Sequence, residues 1–482
     1  MEFIKRHYKL ILFSIPLISF ALHYYVFNLD LVGIHVWRQT ETQTVINNFY
    51  RESLNIFYPH VNDFKYPGRV MQSEFPLMQW LFALCYRMLG PHIAITRVLS
   101  FIIGLFSVYG MFYLCDKIFK NKTIATLCAW CFNFSPVFYY YTLNPMPDNM
   151  ALCCAIWSTA FFYSYINTSK IKFVIWSALF LGIATMVKLP FILFGSFMFT
   201  FLVVQIKRRE YSLKQLTSIF FIYVLFVIPA IAWYTFVMSN LVGGLILGAF
   251  DIKQSFSYWL YILQGNLLSV LPELIINYAS VLFFIAGFYF LFSNKLYRNK
   301  NFNLFLFWGV SVILYFLYEL NMIDTVHDYY LFPFLPPIFL LVAYGAYHML
   351  MKRGVSNLLA LFCLCALPFT AFLRIHARCD TKDPGFDAAY YEYEKELRNL
   401  TPQNAYCIVC NDPSNFILLY YIDRKGWALK NDQLNNNVLT DCISKGAKYI
   451  FLVDQMDSQP EIRTHLDGKI FDKNNLKVYK LK

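Results

Sequence analysis

Hydrophobic positions in this chain fall in long unbroken runs, with polar residues gathered in the gaps between them. A helix needs roughly 20 apolar residues at ~1.5 Å each to cross a bilayer. Stretches near 9–28, 93–115, 123–143, 149–167, 172–188, 190–206, 216–238, 275–293, 302–319, 330–350 and 355–374 approach that length and predict eleven membrane helices. The first begins after Lys5 and Arg6, lacks a small-residue cleavage signal and keeps spanning length, so it reads as a retained anchor. Within 29–92 the pattern is different. Val45, Ile46, Phe49, Tyr50 and Leu54 recur on one side of a helix predicted over 40–54, and Leu77, Trp80, Leu81, Leu84 and Met88 on one over 76–89. The second would reach only about 20 Å, which suits a helix lying on the membrane surface. Thr40 and Gln43 are spaced as a capping box, and Pro76 fits a first helical position.

From about residue 375 the apolar runs shorten and charges cluster at 392–398. Segments 405–409 and 448–453 read as buried strands, with helices at 415–422 and 438–444. The expected fold is an all-α polytopic membrane protein carrying a small C-terminal α/β domain. Residues 1–374 form the membrane part, with 29–92 as its first outside loop, and 375–482 form the small domain, long enough for its own core.

Composition agrees and removes other classes. The chain is 58% hydrophobic and 15% charged, against about 25% charged in soluble domains, which excludes disorder and an ordinary soluble enzyme. A net charge of +12 suggests nucleic acid until the charges are placed. Lys5, Arg6, Lys9, Lys117, Lys120, Lys122, Lys170, Lys172, Lys207, Arg208, Arg209, Lys214, Lys295, Arg298, Lys300, Lys352 and Arg353 all fall on one side of the predicted helices. Asp30, Glu41, Glu52, Asp63, Glu74, Asp148, Asp251, Glu273, Glu319, Asp324 and Asp328 fall on the other. By the positive-inside rule the basic side is cytoplasmic. The partner is then membrane lipid, nucleic acid has no place, and eleven crossings put the C-terminal domain outside. Most of the 12 cysteines sit singly in apolar runs and read as small buried hydrophobes. Cys379, Cys407, Cys410 and Cys442 would lie outside, where thiols can oxidise. Cys407 and Cys410 have a metal-ligand spacing, but residues three apart on a strand face opposite sides, so no metal site is expected.

Candidate chemistry gathers on the acidic side. With Thr40 as a cap, Glu41 falls in the first turn, where the helix dipole and Arg38 hold it ionised and fit to take a proton from a hydroxyl. Glu74 precedes the surface helix, and Asp148 sits at the outer mouth of a membrane helix. His327 and Asp328 meet the interface beside Tyr329 and Tyr330, and Lys188 lies between two spans. Each has a plainer account as a cap, a dipole partner, an interface aromatic or a snorkelling lysine; what singles them out is their shared membrane face. Acids beside Arg38, Lys65, Arg69, Lys188 and His327 at a lipid surface suit a substrate with an anionic head and a lipid tail. A lipid-linked phosphate fits. Its departure needs positive charge while a base on the opposite side deprotonates the attacking hydroxyl, and a single displacement of that kind inverts the anomeric centre.

At these residues the chain resembles glycosyltransferase family 39, which contains protein O-mannosyltransferases and bacterial lipid A aminoarabinose transferases. The resemblance covers the membrane part and rests on WRQTET at 37–42, EFPLMQWLFALCYRMLG at 74–90, PDNMAL at 147–152, MVKLPF at 186–191 and HDYYLFPFLPP at 327–337. It implies the GT-C fold and transfer of a sugar from a polyprenyl phosphate on the extracytoplasmic face. It makes Glu41 the catalytic base or a residue that places the acceptor, and matches Asp148 to a second acid. Two positions depart. Arg38 and Gln39 stand where many relatives have an Asp-Glu pair, which leaves the base between Glu41 and Asp148. Phe75 stands where aminoarabinose transferases have a lysine, so Lys188, Arg69 and His327, in that order, are the candidates for holding phosphate.

The expected function is an inverting glycosyltransferase acting on a lipid, protein or glycan hydroxyl, with a lipid-linked sugar phosphate as donor and no required cofactor. A lipid-glycan flippase would need charge along the depth of the helices. A surface-polysaccharide polymerase or ligase would need a larger outside loop than 239–274. The motif variants point to a bacterial plasma (inner) membrane, with the site and the C-terminal domain extracytoplasmic.

Overall fold

The computed structural model describes residues 2–208, 211–240, 255–298, 300–320, 323, 327–412 and 414–482. The chain divides into two compact units. Met1–Asn28, Ser73–Phe75 and Thr96–Ala377 make the first; Leu29–Gln72, Pro76–Ile95 and Arg378–Lys482 make the second. The first loop, assigned from sequence to the membrane part, therefore belongs largely with the C-terminal domain.

In the first unit every one of the eleven expected spans is helical, but they differ in what they can do alone. Among the described residues six helices are long and apolar enough to cross a membrane: Glu2–Val26, Ile93–Phe119, Leu189–Arg208, Leu213–Ser239, Asp328–Met351 and Val355–Arg378. A seventh results if Phe256–Ile275 and Tyr278–Ser293, bent by 92°, count as one. The other four expected spans fall short for identifiable reasons. The one at 123–143 breaks at Phe134 and Ser135 into Lys122–Asn133 and Pro136–Tyr141, where Pro136 starts a new helix. Pro147–Thr168 buries Asp148, Asn149, Ser158 and Thr159, which lowers its hydropathy. Lys172–Val187 and the apolar part of the last, Phe307–Tyr318, are shorter than a bilayer.

Polar contacts and small residues fasten these helices together, as expected where lipid removes the hydrophobic drive for association. Ser158 and Ser177 exchange hydroxyl-to-carbonyl bonds at 2.8 and 2.6 Å, and Tyr223 donates to Ser177 at 2.7 Å, tying three helices. At Gly345 a Cβ would stand 1.9 Å from the Phe283 carbonyl oxygen, so only glycine permits that approach. The links between helices alternate between two ends. One end carries Lys117, Lys120, Lys122, Lys170, Lys172, Lys207, Arg208, Lys214, Lys295, Arg298, Lys352 and Arg353; the other carries Asp148, Lys188, Glu319 and Asp328. Asp251, Asp324 and residues 241–254 lie outside the described residues.

The second unit is built on a five-stranded sheet: β1 Tyr406–Cys410, β2 Lys425–Leu429, β3 Ala447–Leu452, β4 Leu466–Lys473 and β5 Leu476–Leu481. Their order is β2-β1-β3-β5-β4, with β1 parallel to β2 and β3, and β5 antiparallel to β3 and β4. The two strands expected at 405–409 and 448–453 are β1 and β3. The first loop completes this fold. Leu31 and Val36 enter the apolar core with Leu397, Leu419 and Tyr421, and Tyr420 donates to Asp30 at 2.6 Å. Phe64 N donates to Gly426 O at 2.8 Å and Gly426 N to Asn62 O at 3.1 Å, covering the exposed edge of β2. Helices Val36–Arg51 and Leu77–Leu89 lie in this unit. The first begins at Val36, four residues before the expected start. Thr40 donates to the Val36 carbonyl at 2.9 Å from inside the helix, so it is no cap. Cys379, Cys407, Cys410 and Cys442 are all buried.

Candidate functional site

The first unit assembles one centre from four separate stretches of chain. Asp148 is the second residue of Pro147–Thr168. Lys188 is the residue at which Lys172–Val187 ends: its N–H closes the helix on Ala184 O at 2.9 Å, and its extended backbone turns the chain toward Pro190. Lys188 Nζ stands 3.8 Å from Asp148 Oδ1 and 5.9 and 5.7 Å from the ring centres of Tyr329 and Tyr330. A carboxylate and two aromatic rings thus hold an ammonium whose side chain is only 15% exposed. Asp328 accepts from the Tyr141 hydroxyl at 2.6 Å. His327 Nδ1 is 3.4 Å from the Tyr329 hydroxyl. Buried Glu319 adds a second carboxylate that acts electrostatically on Lys188.

Residues beneath the centre fix it. The amide of Asn149 donates to the carbonyls of Tyr141 and Asn144. Arg97, 1% exposed, donates to Leu143 O at 3.0 Å and Asn144 Oδ1 at 2.8 Å, which locks the loop before Asp148. Glu74 arrives on the segment Ser73–Phe75, also part of this unit. Phe75 N donates to Met186 O at 3.2 Å, two residues from Lys188, and Trp233 Nε1 donates to Ser73 O at 3.2 Å. From the turn after Lys188, Ile192 and Leu193 continue into an apolar groove of about 430 Å3 completed by Leu181, Phe199, Val224 and Ile228.

The second unit holds the remaining candidates in two groups. Arg38 and Glu41, both 7% exposed, form an ion pair one turn apart. Glu41 stands in the second turn of Val36–Arg51 and pairs with Arg38, so it is not at the first-turn position expected from a Thr40 cap. Gln39 donates to Ile34 O at 2.9 Å, fixing the helix start. Burial, with the Glu41 and Asp63 carboxylates nearby, raises the Tyr66 phenol to about 12. In the other group Arg69 grips Glu52 with both guanidinium nitrogens, joined by Lys425 at 3.0 Å and His60 at 3.1 Å. Although burial opposes it, this pairing holds Glu52 at about 2. Arg69 is therefore engaged by a carboxylate, and Lys65 is an exposed side chain on the same loop. Burial pushes Asp63 up to about 7.

Sequence reasoning overlooked Tyr141, Arg97 and Tyr66, and it named Glu319 and Glu52 only among the acids of one side, not as site residues. Arg97 carried a signal, being a lone charge inside an apolar run. The others act through partners far away in sequence. Among the described residues no three His, Cys, Asp or Glu side chains gather as a metal-binding group.

Residues 73–233 match the sequence model of the dolichyl-phosphate-mannose-protein mannosyltransferase family, a segment containing Glu74, Asp148 and Lys188. No curated protein matches the chain by sequence. Among solved structures, apo ArnT from Cupriavidus metallidurans aligns over 98% of this chain and 97% of its own, with 11% identity and a TM-score of 0.70. The chain has the GT-C glycosyltransferase fold. The same ArnT bound to undecaprenyl phosphate aligns over 98% and 97%, with 10% identity and a TM-score of 0.68. The archaeal oligosaccharyltransferase AglB from Archaeoglobus fulgidus, solved with an inhibitory peptide and a dolichol-phosphate, aligns over 94% of this chain and 70% of its own, at 13% identity and TM-score 0.62. The family match over residues 73–233 and the GT-C fold together bear out the resemblance to glycosyltransferase family 39 drawn from the motifs.

Proposed function

We propose that the chain is an inverting glycosyltransferase that moves a sugar from a polyprenyl-phosphate donor to an acceptor hydroxyl on the extracytoplasmic face of a bacterial plasma membrane. The observation that carries this reading is Lys188 held between Asp148 and the Tyr329 and Tyr330 rings, in a fold shared with an ArnT bound to undecaprenyl phosphate. An ammonium at a bilayer edge suits a phosphate monoanion or dianion, and the apolar groove that begins after it suits a lipid tail. The basic links at the opposite end of the helices support the orientation.

In the reaction the acceptor oxygen attacks the anomeric carbon and the carbon–oxygen bond to phosphate breaks. Polyprenyl phosphate leaves with the electron pair, stabilised by Lys188, and the hydroxyl proton passes to a carboxylate. Glu41, paired with Arg38, and Asp148 are the two candidates for that carboxylate. His327 contacts Tyr329, whose ring faces the cation, and Asp328 holds Tyr141. Arg69, already neutralised by Glu52, ranks below Lys188 as a phosphate holder.

The test is purified protein in proteoliposomes loaded with polyprenyl-phosphate sugars, following donor consumption and the product's anomeric configuration by NMR. Transfer with inversion is expected. Retention of configuration, or consumption of no donor, contradicts the reading.

A further inference from the structure

The second unit carries a cup where β1 begins, which shares Lys425 with the Arg69–Glu52 group and is otherwise lined by residues outside both candidate groups. It encloses about 420 Å3 and is lined by Gln403, Asn404, Ala405, Tyr406 and Lys425, within the ~300–1,000 Å3 of small-ligand pockets. Tyr406 and Lys425 are register partners on adjacent parallel strands, so ring and ammonium stem stand side by side. Tyr406 carries a large, flat ring, and the residue is 39% exposed. Phe64 packs edge-on against it with centroids 4.8 Å apart, and Trp427 meets Phe64 at 4.9 Å, which fixes the ring's plane in advance of any ligand. Glu52 holds the Lys425 ammonium at 3.0 Å. Gln403 and Asn404 stand exposed on the turn that Ala405 N closes on Pro402 O at 3.0 Å.

These walls select a ligand by chemistry. An apolar guest would leave two carboxamides without partners. A strong anion would find one cation already balanced by Glu52. A sugar ring has an apolar C–H face to lie on Tyr406 and hydroxyls that both donate and accept, as carboxamides do. We propose that this cup is a carbohydrate-binding subsite that holds a glycan portion of the acceptor. The acceptor role rests on the transferase reading; binding of carbohydrate does not.

The experiment uses the full chain in detergent against an array of neutral and acidic oligosaccharides, with the best ligand then titrated calorimetrically. Tyr406→Ala and Asn404→Ala are each expected to weaken binding about tenfold or more, while Tyr406→Phe retains it and shows that the unit remains folded. In the transfer assay Tyr406→Ala should raise KM for a glycan acceptor and leave kcat unchanged. An array on which the wild-type protein holds nothing beyond Tyr406→Ala overturns the subsite. Transfer without glycan binding rejects the subsite alone, whereas glycan binding without transfer rejects the transferase reading and leaves the subsite standing.

Discussion

Lys188 is the side chain on which the chemistry turns. Replacing it with methionine keeps the stem and removes the charge, which should reduce transfer by about 10²–10³-fold, the effect of losing one preorganised electrostatic group. Membrane insertion and elution as a folded species should be unchanged, because the residue sits at a helix end. Asp63 gives a prediction of a different kind. Its folded pKa of about 7 lies above the ordinary 3.8, so the folded state binds the extra proton between those values. The stability of the second unit should therefore fall as pH rises from about 4 to 7. Asp63→Asn should flatten that slope in a thermal melt followed by β-sheet circular dichroism, and an unchanged slope would rule out Asp63 as its source. Glu52 acts oppositely: held at about 2 against an ordinary 4.5, it contributes stability above pH 4.5 that disappears only in stronger acid. The chemistry-bearing residues were legible singly, since Asp148 and Lys188 are charges bordering apolar runs. Their pairing was not, because 40 residues of chain and a complete helical hairpin separate them.

At the scale of elements, close approach between helices decides which glycines matter. Gly345 faces the Phe283 carbonyl and Gly287 the Leu341 carbonyl, so that Tyr278–Ser293 and Leu335–Met351 meet backbone to backbone. Gly345→Val should force them apart and lower the melting temperature in detergent, whereas a valine at Gly309, where nothing crowds the position, should not. Equal melting temperatures would contradict the close packing. Long apolar runs disclosed the helices because lipid demands uniform hydrophobicity. The misplaced start of Val36–Arg51 came from a capping pattern with no counterpart in space: Thr40 turns its hydroxyl back to Val36 and leaves His35 as the boundary. Strands β2, β4 and β5 escaped notice because Lys425–Leu429 is an edge strand and LDGKIFDK buries only Leu466 and Phe471.

For the whole molecule, the first loop and the C-terminal domain share one core, which sequence reading had divided. Ending the chain after Ala377 would strip Leu31 and Val36 of their apolar neighbours. Such a truncation should therefore be cleaved rapidly within 29–72 by added protease, while the intact chain resists. Equal resistance would mean that the loop folds independently. The composition shift near 375 located the domain, but the loop's allegiance depends on Asp30, Gly33 and Asn62 bonding to partners more than 350 residues away, which no local pattern encodes. The account as a whole rests on an ammonium that meets a lipid-linked phosphate. Its most direct test is binding of polyprenyl phosphate to wild-type protein, Lys188→Met and Lys188→Arg in the same nanodiscs. Tight binding by wild type, partial retention by the arginine variant and loss by the methionine variant are predicted; equal binding by all three would contradict it.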